Sequence, residues 1–97
     1  MMPLTVHIVN TPRAGARDTY LDAWREIDTR GLRHPDGRQL HVAWTVDDVL
    51  HVVDVWNSTE EQQAFMRDLG PILDQFRMEI REAPEVGEFL QAVRPPG

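Results

Sequence analysis

The sequence predicts an α+β domain with a four-stranded antiparallel sheet and two helices, in the order strand–helix–strand–strand–helix–strand. Three observations support this prediction. The apolar, β-branched run Leu50–Trp56 is typical of a central strand. Ser58 follows it, and Glu61 three residues later completes a capping box that begins a helix. An earlier stretch, Arg13–Arg30, carries apolar residues at helical spacing.

The first strand and helix are separated by a proline. Leu4–Val9 alternates and is rich in β-branched residues, and Pro12 cannot continue a strand ladder. The helix predicted over Arg13–Arg30 ends before Gly31, a residue suited to the position just past a helix. Its apolar stripe consists of Ala16, Tyr20, Ala23, Trp24 and Ile27.

A hairpin is predicted in the middle of the chain. Arg38–Val46 and Val49–Trp56 read as strands joined by the turn Asp47–Asp48, after a Gly- and Pro-containing loop. If the turn has two residues, His41 lies opposite Asp54 on the neighbouring strand. A change of one residue in loop length would break that pairing, since it moves every side chain to the other face.

The last third is predicted to hold the second helix and the fourth strand. Thr59–Met78 has a helical apolar stripe interrupted at Gly70–Pro71, so we expect a broken or kinked helix. Val86–Val93 alternates and is predicted to be the last strand. The whole order is that of a ferredoxin-like domain. Residues 1–94 are expected to form this single domain, and residues 95–97 a loose tail.

Composition excludes several function classes. The net charge is −6, and all ten basic residues are arginines scattered along the chain, which argues against nucleic-acid binding. The absence of cysteine rules out disulfides, thiolate nucleophiles and Cys-ligated metals. No signal-peptide pattern or membrane-length apolar run is present, so we expect a cytoplasmic protein without membrane contact. A chain of 97 residues would gain buried area by dimerising.

The layout, together with three stretches of sequence, resembles the dimeric α/β-barrel superfamily. These stretches are Gly37–Ala43, Val52–Ser58, and Phe65 with Leu69–Pro71. Within the superfamily, the chain is most similar to small antibiotic-biosynthesis-monooxygenase-like proteins, many of them uncharacterised. The resemblance implies a homodimer whose two sheets pack into a barrel, with helices outside and a cleft between sheet and helices.

The same resemblance bears on the reaction. Family members include cofactor-independent monooxygenases that act on polycyclic aromatic molecules, and haem-degrading enzymes. The haem-degrading relatives take a histidine ligand from the second helix, and Thr59–Met78 contains no histidine. Haem chemistry is therefore disfavoured, and no cofactor is predicted.

His41 with Asp54 is the candidate catalytic pair. A carboxylate beside an imidazole fixes its tautomer and holds a general base ready. Trp56 on the same face could supply an aromatic wall for a flat ligand, and Tyr20 and Trp24 are further candidate binding residues. The simpler interpretation is structural: a cross-strand pair stabilises a sheet by about 0.2–1 kcal/mol without any function, and helix aromatics commonly pack in a core.

Other sites are disfavoured. In the predicted register His51 faces away from His41, and the spacing of the histidines matches no metal-binding motif, so no metal site is predicted. The glycines are isolated, which excludes a phosphate-binding loop. Ser58 is better explained as a helix cap than as a nucleophile.

Two hypotheses remain. One is a dimeric module that binds a small aromatic or hydrophobic molecule between sheet and helices, or simply assembles. The alternative is a cofactor-independent monooxygenase-like enzyme that uses a pocket formed by His41, Asp54 and Trp56.

Overall fold

The computed structural model describes residues 3–93 and has the predicted order of elements. Their bounds are β1 Leu4–Val9, α1 Ala16–Thr29, β2 Arg38–Val46, β3 Val49–Trp56, α2 Thr59–Gln75 and β4 Glu85–Glu88. The strands form one antiparallel sheet in the order β2-β3-β1-β4. This is the ferredoxin-like arrangement predicted from the sequence.

The central hairpin has the two-residue turn that fixes its register. Asp47 and Asp48 both have positive φ, 50° and 63°, which is the backbone of a type I′ turn. Val46 therefore pairs with Val49, and His41 pairs with Asp54. The predicted register is confirmed.

Helix α1 begins three residues later than predicted. Gly15, at φ 75°, occupies the position before the helix in a left-handed conformation, which glycine adopts without steric cost. The amide of Arg13 instead donates to the carbonyl of Asp48, 3.0 Å away. That bond ties the segment before α1 to the hairpin turn and keeps it outside the helix.

Helix α2 begins at the predicted cap but does not break. The Ser58 hydroxyl accepts a hydrogen bond from the Glu61 amide at 3.2 Å. The helix runs through Gly70–Pro71, where the proline lacks the amide hydrogen for one intrahelical bond, and ends at Gln75. The predicted alternative of a broken helix is therefore wrong, and the helix ends three residues before the predicted Met78.

Strand β4 is shorter than predicted and ends at Glu88 rather than Val93. It pairs with β1 only as far as Leu4, opposite Glu88. Beyond that pair the partner is Pro3, whose carbonyl accepts from the Phe89 amide at 3.0 Å but which has no amide hydrogen to continue the ladder. The predicted tail, residues 95–97, lies outside the described residues.

The helices cover one face of the sheet. One core cluster consists of Val6, Trp56 and Phe65, and another of Ala23, Ile27 and Ile72. Leu32 and Leu69 pack against both clusters and join them. Within residues 3–93, neither helix combines the length and the apolar character needed to cross a bilayer.

The opposite face of the sheet remains open and is largely apolar. Val42, Trp44 and Val46 of β2 are 45%, 41% and 52% exposed. His7 and His51 stand beside Trp44, with ring centroids 6.1 and 5.1 Å from the tryptophan ring. We call these five residues the open-face patch.

Candidate active site

The hairpin places His41 and Asp54 side by side on the covered face. His41 Nδ1 lies 2.5 Å from Asp54 Oδ1. Asp54 is 8% exposed, and it is the only buried polar residue in the described part of the chain. Burying a carboxylate is costly unless it is hydrogen-bonded, so the imidazole is what makes the buried position of Asp54 tolerable.

Helix α1 brings two aromatic side chains to the same histidine. Tyr20 and Trp24 are one helical turn apart and share a helix face. The Tyr20 hydroxyl lies 2.8 Å from His41 Nε2. The Trp24 ring stacks on the imidazole, with centroids 5.1 Å apart and planes 14° from parallel. Both candidate binding residues of α1 therefore contact the candidate catalytic histidine.

The hydrogen bonds assign the protons when His41 is neutral. An ionised carboxylate only accepts, so Nδ1 donates to Asp54 and Nε2 is left to accept from the Tyr20 hydroxyl. Burial raises the pKa of Tyr20 above its ordinary value, and the negative charge of Asp54 adds to this, while Arg38 acts in the opposite direction. Tyr20 is therefore a phenol at neutral pH and donates its proton to the imidazole.

A cavity of about 80 Å³ lies beside this Tyr20–His41–Asp54 chain. Both helices and strands β1, β2 and β3 line it. Its polar lining residues are Asn10, Tyr20, Arg38, His41 and Asp54, and the remainder are apolar, including Met66 and Met78. An apolar cleft with a few convergent polar groups is typical of small-molecule sites.

Trp56 is not part of this cavity. Its side chain is 1% exposed and packs against Val6 and Phe65 in the core, with its ring 5.5 Å from that of Phe65. The aromatic wall expected from Trp56 is instead provided by Trp24. The structure thus brings together four of the five predicted site residues and places Trp56 in the core.

Sequence reasoning missed Arg38. Strict alternation along β2 would place Gln39, not Arg38, on the face of His41. A β-bulge between Arg38 and Leu40 shifts the register, so that Arg38 pairs with Trp56 and faces the helices. Its guanidinium carbon lies 5.9 Å from the ring centroids of both Trp24 and Trp56. No residue type in this stretch signals such a bulge.

The histidines do not converge on a metal. His7 and His51 face away from His41 on the open side of the sheet. Within residues 3–93, no three His, Asp or Glu side chains come together as a metal centre requires.

No protein-family model and no curated protein matches this chain. Solved structures do, and two of them carry the provisional name antibiotic biosynthesis monooxygenase. The one from Chloroflexus aurantiacus has 18% identity and a TM-score of 0.64, with 95% of each chain covered. The one from Deinococcus radiodurans has 12% identity and a TM-score of 0.63, covering 97% of this chain and 99% of that one.

A protein of unknown function from Nitrosomonas europaea is equally similar. It has 16% identity and a TM-score of 0.66, with coverage of 100% of this chain and 98% of that one. The ferredoxin-like fold is shared. At these identities the likeness shows the fold alone, and the chemistry has to be argued from the site. The structural neighbours nevertheless include the group to which the sequence resemblance pointed.

Proposed function

We propose that this protein binds a small, flat, largely hydrophobic molecule in the cavity between the sheet and the helices. The observation that supports this most directly is the hydrogen-bonded Tyr20–His41–Asp54 chain, which lines an otherwise apolar cavity. A structural ion pair would need neither the tyrosine nor the free space. The stacked Trp24 supplies a flat apolar surface for an aromatic ring.

The cavity would have to enlarge for a ligand of more than one ring. Its free volume of about 80 Å³ is well below the roughly 300–1,000 Å³ of sites for drug-sized molecules. Met66 and Met78 at its wall are flexible, unbranched side chains that can repack around a ligand. We therefore expect the ligand to be small or the methionines to move.

We also propose that the protein works as a homodimer formed through the open-face patch. Three large apolar side chains in that patch are more than two-fifths exposed. A contiguous apolar patch of this kind marks an interaction surface. The resemblance of the sequence to the dimeric α/β-barrel superfamily supports the same arrangement.

Thermal-shift screening with flat aromatic molecules tests the binding proposal. Ligands are compared on the wild type, on His41→Ala, and on His34→Ala, a control histidine exposed in the loop before β2. We expect ligands that stabilise the wild type and His34→Ala alike but stabilise His41→Ala less. A ligand that raises the melting temperature of all three proteins equally would remove His41 from the site.

The second candidate function is a cofactor-independent oxygenase. The observation in its favour is the hydrogen bond that His41 Nε2 accepts from the Tyr20 hydroxyl at 2.8 Å. A substrate that displaced Tyr20 would therefore meet a base that is already oriented. Removal of a proton from an activated CH₂ group would give a carbanion that reacts with O₂. One oxygen atom would end in the ketone and the other in water, so no external reductant is required.

Oxygen consumption with polycyclic aromatic ketones that carry such a CH₂ group tests this second candidate. We expect uptake by the wild type and a loss of about a hundredfold or more in His41→Ala, since a positioned base contributes about 10²–10⁴ in rate. If the wild type binds these molecules but consumes no oxygen, the oxygenase candidate is wrong and the binding function stands.

A further inference from the structure

Among the described residues 3–93, Arg38 is the only arginine that lines the cavity, and it has no carboxylate partner within 4 Å. The one hydrogen bond that its guanidinium makes within residues 3–93 runs from Nη2 to the backbone carbonyl of Arg33, at 2.7 Å. In the same part of the chain, the arginines that form ion pairs are Arg17 and Arg25 of α1 and Arg30 just after it, all of them exposed. Arg38 is the one arginine in this part of the chain that is not exposed, and it has no carboxylate within 4 Å.

Aromatic rings partly compensate this charge. The guanidinium carbon lies 5.1 Å from the centroid of Phe65 and 5.9 Å from those of Trp24 and Trp56. Ring faces attract a cation, but by less than a hydrogen-bonded carboxylate does. Burial lowers the pKa of Arg38, while the nearby charge of Asp54 opposes that effect. The arginine still remains charged at any physiological pH.

The polar groups near Arg38 already have hydrogen-bond partners of their own, whereas most of the guanidinium donors have none. Asp54 Oδ1 is engaged by His41, and the Tyr20 hydroxyl is 2.8 Å from the other imidazole nitrogen. A guanidinium has five N–H donors, and they match the two oxygens of a carboxylate. The cavity therefore holds a cation with free donors beside a flat aromatic surface.

We propose that Arg38 is an anion-recognition residue and that the ligand is a flat aromatic acid whose negatively charged oxygen pairs with its guanidinium. This proposal rests on the proposed binding function and names the ligand class. The aromatic ring would lie against Trp24 and the apolar walls, and the acidic group would point to β2. Charge complementarity at the bulge would then select acids over their neutral analogues.

Matched ligand pairs test the proposal by calorimetry. The probes are benzoate against benzamide and 2-naphthoate against 2-naphthamide, which differ in charge but hardly in shape. We expect the wild type to bind the acid of at least one pair about tenfold or more tightly than its amide, as charged hydrogen bonds allow. Because this comparison is made on the wild type alone, it does not depend on whether any variant folds.

Three variants assign the preference to Arg38. Arg38→Met keeps the apolar length of the side chain and should abolish the preference while leaving amide affinity within about twofold. Arg38→Lys should retain part of the preference for acids, because the positive charge stays but the two-pronged hydrogen bonding of the guanidinium is lost. Arg67→Met, at an exposed position of α2, should behave as the wild type, and circular dichroism checks that each variant is folded.

Two results would overturn this inference while leaving the proposed function intact. One is equal binding of acids and amides by the wild type; the other is an equal loss of both in Arg38→Met, which would make Arg38 a packing residue. If neither member of any pair binds, and no aromatic molecule shifts the melting temperature, the proposed function itself fails and this inference fails with it.

Discussion

Each face of the sheet carries a histidine stacked on a tryptophan, but only one of these histidines is joined to a carboxylate. On the covered face His41 and Trp24 have ring centroids 5.1 Å apart. On the open face the centroids of His51 and Trp44 are also 5.1 Å apart. His41 Nδ1 meets Asp54 at 2.5 Å, whereas His51 Nδ1 meets only the Nε2 of another histidine, His7, at 3.4 Å.

The difference shows what a stacked histidine needs in order to become a site. A carboxylate fixes which imidazole nitrogen holds the proton, while a histidine neighbour leaves both tautomers open. Burial by the helices matters as well. The helices pack over His41 and leave a cavity beside it, whereas they do not cover Trp44, which is 41% exposed. The covered face is thus suited to chemistry or ligand binding, and the open face to a protein partner.

The largest effect expected on self-association tests the partner role of the open face. Trp44→Glu would place a charge in the middle of the proposed dimer interface, where an unpaired buried charge is costly. We expect the dimerisation free energy to weaken by about 2 kcal/mol or more, roughly a thirtyfold rise in Kd. Sedimentation equilibrium measures this for the wild type and the variant.

The matched control is Leu21→Glu on the outer side of α1, where the leucine is 38% exposed but far from the open-face patch in the fold. It should leave the dimer intact. A wild type that sediments as a monomer at every concentration, or a Trp44→Glu variant that dimerises as well as the control, would show that the open face is not the dimer interface.

Side-chain truncations on the covered and open sides of the sheet should differ in how their cost in unfolding free energy depends on protein concentration. Ile72→Ala removes a side chain with no exposed surface and should lower the free energy of unfolding by about 2–5 kcal/mol. Val42→Ala, at a 45% exposed position, should cost about 0.5 kcal/mol in dilute solution and more at concentrations where the dimer forms. Urea unfolding at two protein concentrations measures both.

Concentration dependence decides this comparison. The cost of Ile72→Ala should be nearly the same at both concentrations, because its contacts lie within one chain. If Val42→Ala lowers the free energy of unfolding by the same amount in dilute and in concentrated solution, the open face is not buried by a second copy of the chain.

The hairpin explains why so much of the site could be predicted from the sequence. Once Asp47–Asp48 forms a two-residue turn, alternation alone assigns every side chain of β2 and β3 to a face, down to the bulge. The His41–Asp54 pair follows from that local geometry. The sheet and both helices follow in the same way from periodicity and from the Ser58 cap.

The features that could not be predicted depend on contacts distant in sequence. Trp56 and Trp24 are both aromatic residues on inward-facing stripes, and only the packing of α2 decides that Trp56 enters the core. The bulge that turns Arg38 inward is a choice of strand pairing with no turn residue to announce it. The shortened β4 depends on Pro3, at the other end of the chain.

The smallest expected effect sharpens the view of the covered face as one electrostatic unit. Tyr20 is the only tyrosine in the chain, so the near-ultraviolet absorbance of ionised phenol reports on this residue alone. We expect its pKa to lie above the ordinary 10.0. Asp54→Asn should lower that pKa by removing a negative charge, and Arg38→Met should raise it further by removing a positive one.

The same shift predicts how stability changes at alkaline pH. The folded protein holds the phenol proton more tightly than the unfolded chain does, so the stabilisation is complete below the unfolded pKa of Tyr20 and is lost as pH rises through the folded one. Tyr20→Phe should lack this alkaline loss, and Asp48→Asn, in the exposed hairpin turn, should titrate as the wild type. A Tyr20 pKa that neither Asp54→Asn nor Arg38→Met moves would mean that the tyrosine, the carboxylate and the arginine do not act together, and the covered face would then hold no more of a site than the open one.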